Sequence, residues 1–278
     1  MLLGVFGAGT AARADPRVMA EIAVAAEQRG FESLWVGEHV ALPEPRTDRS
    51  PLAASTLLHD PLIALTYVAA RTERVRLGTG VLLLPLRHPV VLAKQVASLD
   101  VLSEGRVLLG VGVGTLPEEF AAVGVSMHDR GRRTDEYLAA LRALWEQERP
   151  ELIGDYVRIT AVDAHPRPVQ RPVPVLVGGH SDAALRRAVR SAQGWYGFGL
   201  DVPEAAALIG RLRELECELG RSDHAGSLEI TLTPPLRSTE RAAYEDMGVD
   251  RLVMVPSNSL DRDGLLAWLD ERAPAGPT

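Results

Sequence analysis

Residues 74–111 read RVRLGTGVLLLPLRHPVVLAKQVASLDVLSEGRVLLGV, and their pattern decides the fold. A β-branched and leucine-rich run at 74–82 leads to His88-Pro89, where a proline in the first turn opens a helix. A second short apolar run follows at 106–111. The same unit recurs in both directions. Strands are predicted at 2–6, 32–37, 173–178, 194–199, 228–232 and 251–255 as well. Helices open at Asp15-Pro16 (closing near Gly30), at Asp60-Pro61 and at Val202-Pro203 (closing near Gly220), and others fit 134–148, 181–192, 239–247 and 261–271. Eight strands alternating with eight helices require parallel strands and crossover helices. Equal units without terminal asymmetry favour a closed α/β (βα)8 barrel over a doubly wound open sheet. The whole of 1–278 is read as one domain. Residues 149–172 break the rhythm and predict an insertion between the fourth helix and the fifth strand, a strand pair followed by a proline-rich return. Residues 273–278 are expected to fray.

Composition narrows the function. The chain has 278 residues, 46% of them hydrophobic and 24% charged, with a net charge of −7. That acidity argues against a general nucleic-acid binder. Cys217 is the single cysteine, which excludes an internal disulfide framework and suits a reducing compartment. No basic, apolar leader opens the chain, and no run reaches the ~18 apolar residues that a membrane span requires. The expectation is a cytoplasmic protein with a small-molecule substrate and neither a membrane nor a nucleic-acid partner.

Several segments could carry chemistry. Gly7-Ala8-Gly9-Thr10-Ala11-Ala12 fits the dinucleotide pattern G-x-G-x-x-A, but the helix signal comes only at Asp15-Pro16, so a loop at the barrel mouth is the better reading. Gly110–Thr115 is glycine-rich without the lysine of a phosphate-cradling loop. Its glycines either pack the barrel or let a flat ring approach the backbone. Gly178-Gly179-His180-Ser181-Asp182 is either a capped helix start or an anion site. Glu38-His39 follows the second strand, where a barrel carries its active-site loops, so His39 is a candidate general base or a packed loop histidine. Arg46 and Arg49, in the loop 43–59, face an anion or solvent. The remaining histidines (59, 88, 128, 165, 180 and 224) form no H-x-H or H-E-x-x-H pair, so no metal is expected. There is no G-x-S-x-G, and Cys217 lies in an amphipathic helix, so nucleophilic catalysis has no support.

Read together, these segments resemble the bacterial-luciferase-like superfamily, in particular its oxidoreductases dependent on the deazaflavin coenzyme F420. The resemblance is carried by residues 30–40 (GFESLWVGEHV), 77–81 (LGTGV), 87–95 (RHPVVLAKQ), 99–106 (LDVLSEGR), the glycines of 110–114, Glu118-Glu119-Phe120, 130–133 (RGRR), 172–179 (PVPVLVGG) and 191–196 (SAQGWY). It is close over 1 to about 200 and thereafter a matter of rhythm.

The resemblance implies a barrel with a non-prolyl cis peptide at Gly80-Val81 beneath the coenzyme ring. Thr79, Gly80 and Val81 then border one face of the ring, and Gly112, Val113 and Gly114 its edge, while Gly178, Gly179, His180 and Ser181 receive the phosphate. It places His39 towards ring and substrate, removing a hydroxyl proton in alcohol oxidation or protonating in reduction, with Glu38 orienting the imidazole where many relatives have aspartate. Thr115 stands where some relatives carry an acid, so no general acid is assigned. The coenzyme is expected to be F420, with FMN in a monooxygenase of the same fold as the alternative. A homodimer through the second and third helices is expected. A non-catalytic ligand-binding barrel and a nicotinamide dehydrogenase acting through Gly7–Ala12 are the readings from other classes.

Overall fold

The structure is a computed structural model and describes residues 1–221, 226–236, 238 and 240–274. Its elements in chain order are β1 (Leu2–Phe6), α1 (Pro16–Gln28), β2 (Ser33–Val36), α2 (Pro61–Ala69), β3 (Arg76–Thr79), β4 (Leu82–Leu83), α3 (Pro89–Leu102), β5 (Val107–Gly112), α4 (Pro117–Ala122), α5 (Arg130–Glu146), β6 (Leu152–Ile153), β7 (Arg158–Ile159), β8 (Val175–Gly178), α6 (Asp182–Ser191), β9 (Gly194–Phe198), α7 (Val202–Glu218), β10 (Glu229–Thr233), α8 (Arg241–Asp246), β11 (Arg251–Met254) and α9 (Arg262–Arg272). The strand order β1-β2-β3-β5-β8-β9-β10-β11 closes on itself through β1–β11 and β3–β5, every pair parallel. This is the (βα)8 barrel, and the closing pairs exclude the open sheet. The two-residue β4 adds to the upper end of β5.

Local chemistry sets the helix starts. The Asp15 carboxylate accepts the N–H groups of Arg17 and Val18, that of Asp60 accepts Leu62 and Ile63, and Asp201 with Glu204 forms a capping box, each ahead of a proline or valine-proline opener. His88 precedes Pro89 without any side-chain cap. After β1 the chain makes a 3-10 turn at Ala11–Ala14 before α1, so no helix starts at the glycines. The Arg13 guanidinium sits 3.0 Å from where a Gly7 side chain would begin, which occupies the region a dinucleotide loop leaves open. The Gly7–Ala12 fingerprint is therefore a loop. Between α5 and β8, β6 pairs with β7 in antiparallel register, Leu152 opposite Ile159. The helix expected over 239–247 runs 241–246, and residues 275–278 of the expected frayed tail, like His224, lie outside the described residues.

The barrel interior is filled in layers. At the N-terminal end of the strands the buried Arg251 guanidinium binds the carboxylates of Glu32 and Glu229. Above it Trp35, Leu108, Leu176, Tyr196 and Val253 form a closed cluster, with Trp35 stacked on Tyr196 at 5.3 Å. Gly78 makes room for that stack, since a Cβ there would lie 2.3 Å from the Trp35 ring. Phe6 and Val81 cover this cluster from above and remain half-buried. They form the floor of the mouth at the C-terminal ends of the strands, the face on which barrel loops place chemistry.

Candidate active site

The floor is built around the end of β3. The Gly80–Val81 peptide is cis. The methyl groups of Val81 fill the space beside two neighbouring strands: a Cβ on Gly112 would lie 2.6 Å from one Val81 methyl, and a Cβ on Gly178 would lie 2.8 Å from the other. Both glycines are therefore required by Val81, whatever rests above it. Gly114, at φ +77°, backs onto the Phe120 ring, and between these buried glycines only Val113 is half-exposed. Thr79, expected to touch the coenzyme, is buried, and its hydroxyl donates to the Gly110 carbonyl at 2.7 Å. It fastens β3 to β5 instead. Phe6 lies across the opening, 5.3 Å from the half-exposed Phe198 ring and close against Gly37 and Gly80.

His39 stands at the rim after β2, its side chain 20% exposed. Its Nδ1 lies 3.1 Å from Oε2 of Glu119, a carboxylate buried to 1% exposure on α4. Oε1 of Glu119 accepts the N–H groups of Val40 at 2.8 Å and Ala41 at 3.4 Å. One carboxylate thus fixes both the imidazole and the backbone that follows it. Because a carboxylate accepts only, Nδ1 carries the proton and Nε2 keeps its lone pair free.

Glu38 was expected to orient the imidazole, and the structure corrects this. Its carboxylate accepts the Leu83 N–H at 2.5 Å and binds Arg87, whose guanidinium also reaches Asp60 at the head of α2. Burial pushes the Glu38 carboxyl above its ordinary range, while Arg87 and the Leu83 N–H pull it back; for Arg87, burial opposes the charge but the carboxylates of Glu38 and Asp60 outweigh it and raise the guanidinium. Glu38 is a clasp between the β2 and β3 loops. Glu119 went unassigned in the sequence, although Leu116, Glu119 and Phe120 are buried at the spacing of one helical face, the signal that singles it out from exposed Glu118.

On the far side of the mouth β8 runs into α6. Ser181 caps α6 by accepting the Ala184 N–H, and Gly179, at φ +118°, is exposed. Asp182, in the first turn, is held by Arg186 and Arg211, at 2.7 and 2.9 Å, so its charge is neutralised. The His180 Nε2 accepts the Phe198 N–H at 3.3 Å, and burial lowers its imidazole below the usual histidine range. Nδ1–H of a neutral ring is then a donor beside the free amides of the helix start, a chemistry suited to phosphate.

These residues fit a flat, phosphate-bearing heterocycle: half-exposed Val81 and Val113 offer an apolar bed, α6 offers amides, and His39 stands at the rim. The expected set is thereby divided. His39, Val81, Val113, Gly179, His180 and Ser181 reach the surface of the mouth, Gly80 contributes backbone between them, and Thr79, Gly112, Gly114 and Gly178 support from below. Among the described residues there is no cluster of three metal-ligating side chains.

A family model described as luciferase-like monooxygenase matches residues 1–272. A curated relative from Kineococcus radiotolerans, described as F420-dependent glucose-6-phosphate dehydrogenase, is 33% identical over 82% of this chain and 66% of its own length. Among solved structures, a monooxygenase from Streptomyces bottropensis superposes with a TM-score of 0.71 at 28% identity, covering 89% of this chain and 75% of that one. An F420-dependent secondary alcohol dehydrogenase, solved with an F420-acetone adduct, shares the fold at a TM-score of 0.80 and 17% identity, covering 97% of each chain.

Proposed function

The chain belongs to the luciferase-like monooxygenase family and is an oxidoreductase; from that premise we propose that it transfers a hydride between coenzyme F420 and a small organic substrate. The observation that carries the proposal is the His39–Glu119 pair at the rim of the mouth, where His39 follows β2 and β2 pairs with β3, the strand that leads into Val81. The relative described as F420-dependent supports the choice of coenzyme.

The chain's own residues divide the work. Val81 and Val113 bed one face of the ring and keep water from it. The α6 amides, Ser181 and the neutral His180 hold the phosphate. The deazaflavin, when bound, supplies the hydride acceptor or donor. In oxidation of an alcohol, Nε2 of His39 takes the proton from the hydroxyl oxygen as hydride leaves the carbon that bears it; in reduction the protonated imidazole gives a proton to the carbonyl oxygen. Glu119 accepts Nδ1–H, so the ring presents Nε2 to the substrate. Arg87 and Glu38 fix the loop on which this occurs.

A monooxygenase holding FMN on the same bed is the second reading; the likeness to the Streptomyces protein described as a monooxygenase supports the reaction class. Visible absorbance of F420, followed with a panel of secondary alcohols and of reduced F420 with ketones, tests the reaction. Turnover lost in His39→Ala supports it; turnover in His39→Ala equal to that of the native enzyme removes the proton role.

We propose in addition a homodimer through α2 and α3, whose Ile63, Val91 and Leu102 are all more than half exposed. Sedimentation velocity reads this directly, and a monomer at micromolar concentration refutes it. The cytoplasmic location expected for the chain stays part of this proposal, and no helix among the described residues is long and apolar enough to cross a membrane.

A further inference from the structure

A second concave site lies on the opposite face of the barrel. Pro172 precedes β8, Gln193 precedes β9 and Arg221 precedes β10, so a hollow of about 640 Å³ bounded by them opens at the N-terminal ends of the strands. Four arginines line it, Arg142, Arg171, Arg190 and Arg221, against one carboxylate, Glu146. In a chain of net charge −7 this is a concentrated positive site.

Two of the four are fixed in place. Arg142 donates to the Ser191 carbonyl, and buried Arg221 donates to Val189 at 2.7 Å and Gly226 at 3.2 Å. Ser191 and Val189 belong to the last turn of α6, whose unpaired carbonyls attract guanidinium groups. Arg221 has Glu216 3.7 Å away, yet burial and neighbouring Arg142 lower its affinity for its proton. Arg171 and Arg190 are exposed, and among the described residues neither they nor Arg142 has a carboxylate within ion-pair distance. Anchored cations at the base and free ones at the rim make a preorganised anion receptor, since part of the ordering cost of binding is met in folding. Forked guanidiniums match phosphate oxygens two at a time.

We propose that this hollow binds a compact polyanion bearing phosphate groups, either inorganic or carried on a small metabolite, separately from the mouth. Isothermal titration at constant ionic strength, with inorganic pyrophosphate, ATP and citrate as separate probes, tests this. Pyrophosphate or ATP should bind one per chain, and Arg171→Gln/Arg190→Gln should weaken that binding by about tenfold or more, as expected for two lost charge-assisted contacts. Which of the two binds more tightly tells inorganic from metabolite-borne phosphate. F420 binding should be the same in both proteins. Both substituted side chains are exposed, and the single variant Arg171→Gln serves if the double variant melts early. Absence of saturable binding overturns the proposal, as does binding that both variants leave unchanged. Citrate binding more tightly than either phosphate probe overturns the phosphate assignment.

Discussion

The Nδ1 of His39 and the Oε2 of Glu119 lie 3.1 Å apart, although 80 residues separate them in the chain. The contact joins the loop after β2 to α4, which follows β5. It converts a rim histidine into one with a defined tautomer and a fixed direction, which a proton-transfer group needs.

Glu119→Gln keeps the shape of the side chain but replaces the carboxylate that fixes Nδ1 of His39 with an amide. The expected outcome is a kcat lower by roughly 10–100-fold with KM for the coenzyme little changed. Steady-state kinetics of the two proteins checks it, and an unchanged kcat would reduce Glu119 to a loop clamp. Glu119→Ala also strands the Val40 and Ala41 N–H groups, and should cost about 1–3 kcal/mol of stability in denaturant unfolding.

His39→Ala removes the proton acceptor without touching the bed under the ring. Activity should fall by about 10²–10⁴-fold while coenzyme affinity stays nearly native. Loss of coenzyme binding in equal measure would make His39 a binding residue instead.

Gly178→Ala and Gly112→Ala each push a methyl into Val81. Either should destabilise by about 1–3 kcal/mol through overpacking. Combining Gly178→Ala with Val81→Ala should recover part of the loss, a coupling that a double-mutant cycle measures. Strict additivity would show that these glycines answer to something other than Val81.

His180 titrates below the usual histidine range because it is partly buried. The folded chain therefore binds that proton less readily than the unfolded chain. The stability it contributes is present above the ordinary imidazole range and is lost as the pH falls through its own, lower value. Melting temperatures of the native protein and of His180→Gln should diverge at neutral pH and converge on acidification. Protonation at Nε2 also removes the acceptor of the Phe198 N–H.

The barrel was legible because each strand had to be apolar and each helix had to announce its start. Asp15-Pro16 and Asp60-Pro61 read as openers, and both aspartates cap their helices. Proximity across the mouth was not legible. Glu38 sits beside His39 in sequence, yet consecutive residues at a strand end point apart, and Arg87 is its partner. Glu118 and Glu119 look alike until the helical face shared by Leu116 and Phe120 is considered. Gly112 was expected to admit the ring edge and Gly178 to receive the phosphate, whereas the space beside both is taken by Val81, which follows β3. Thr79 was misplaced for the same reason, since its hydrogen bond to Gly110 depends on pairing that only closure of the barrel creates.

We propose that a deazaflavin rests on Val81 and Val113 with its phosphate at the head of α6. Equilibrium titration of the purified protein with F420 and, separately, with FMN tests it most directly. Saturable binding of F420 at one per chain, weakened about tenfold or more by Gly179→Asp at the phosphate end, is the predicted result. Tight stoichiometric binding of FMN with no binding of F420 would contradict it.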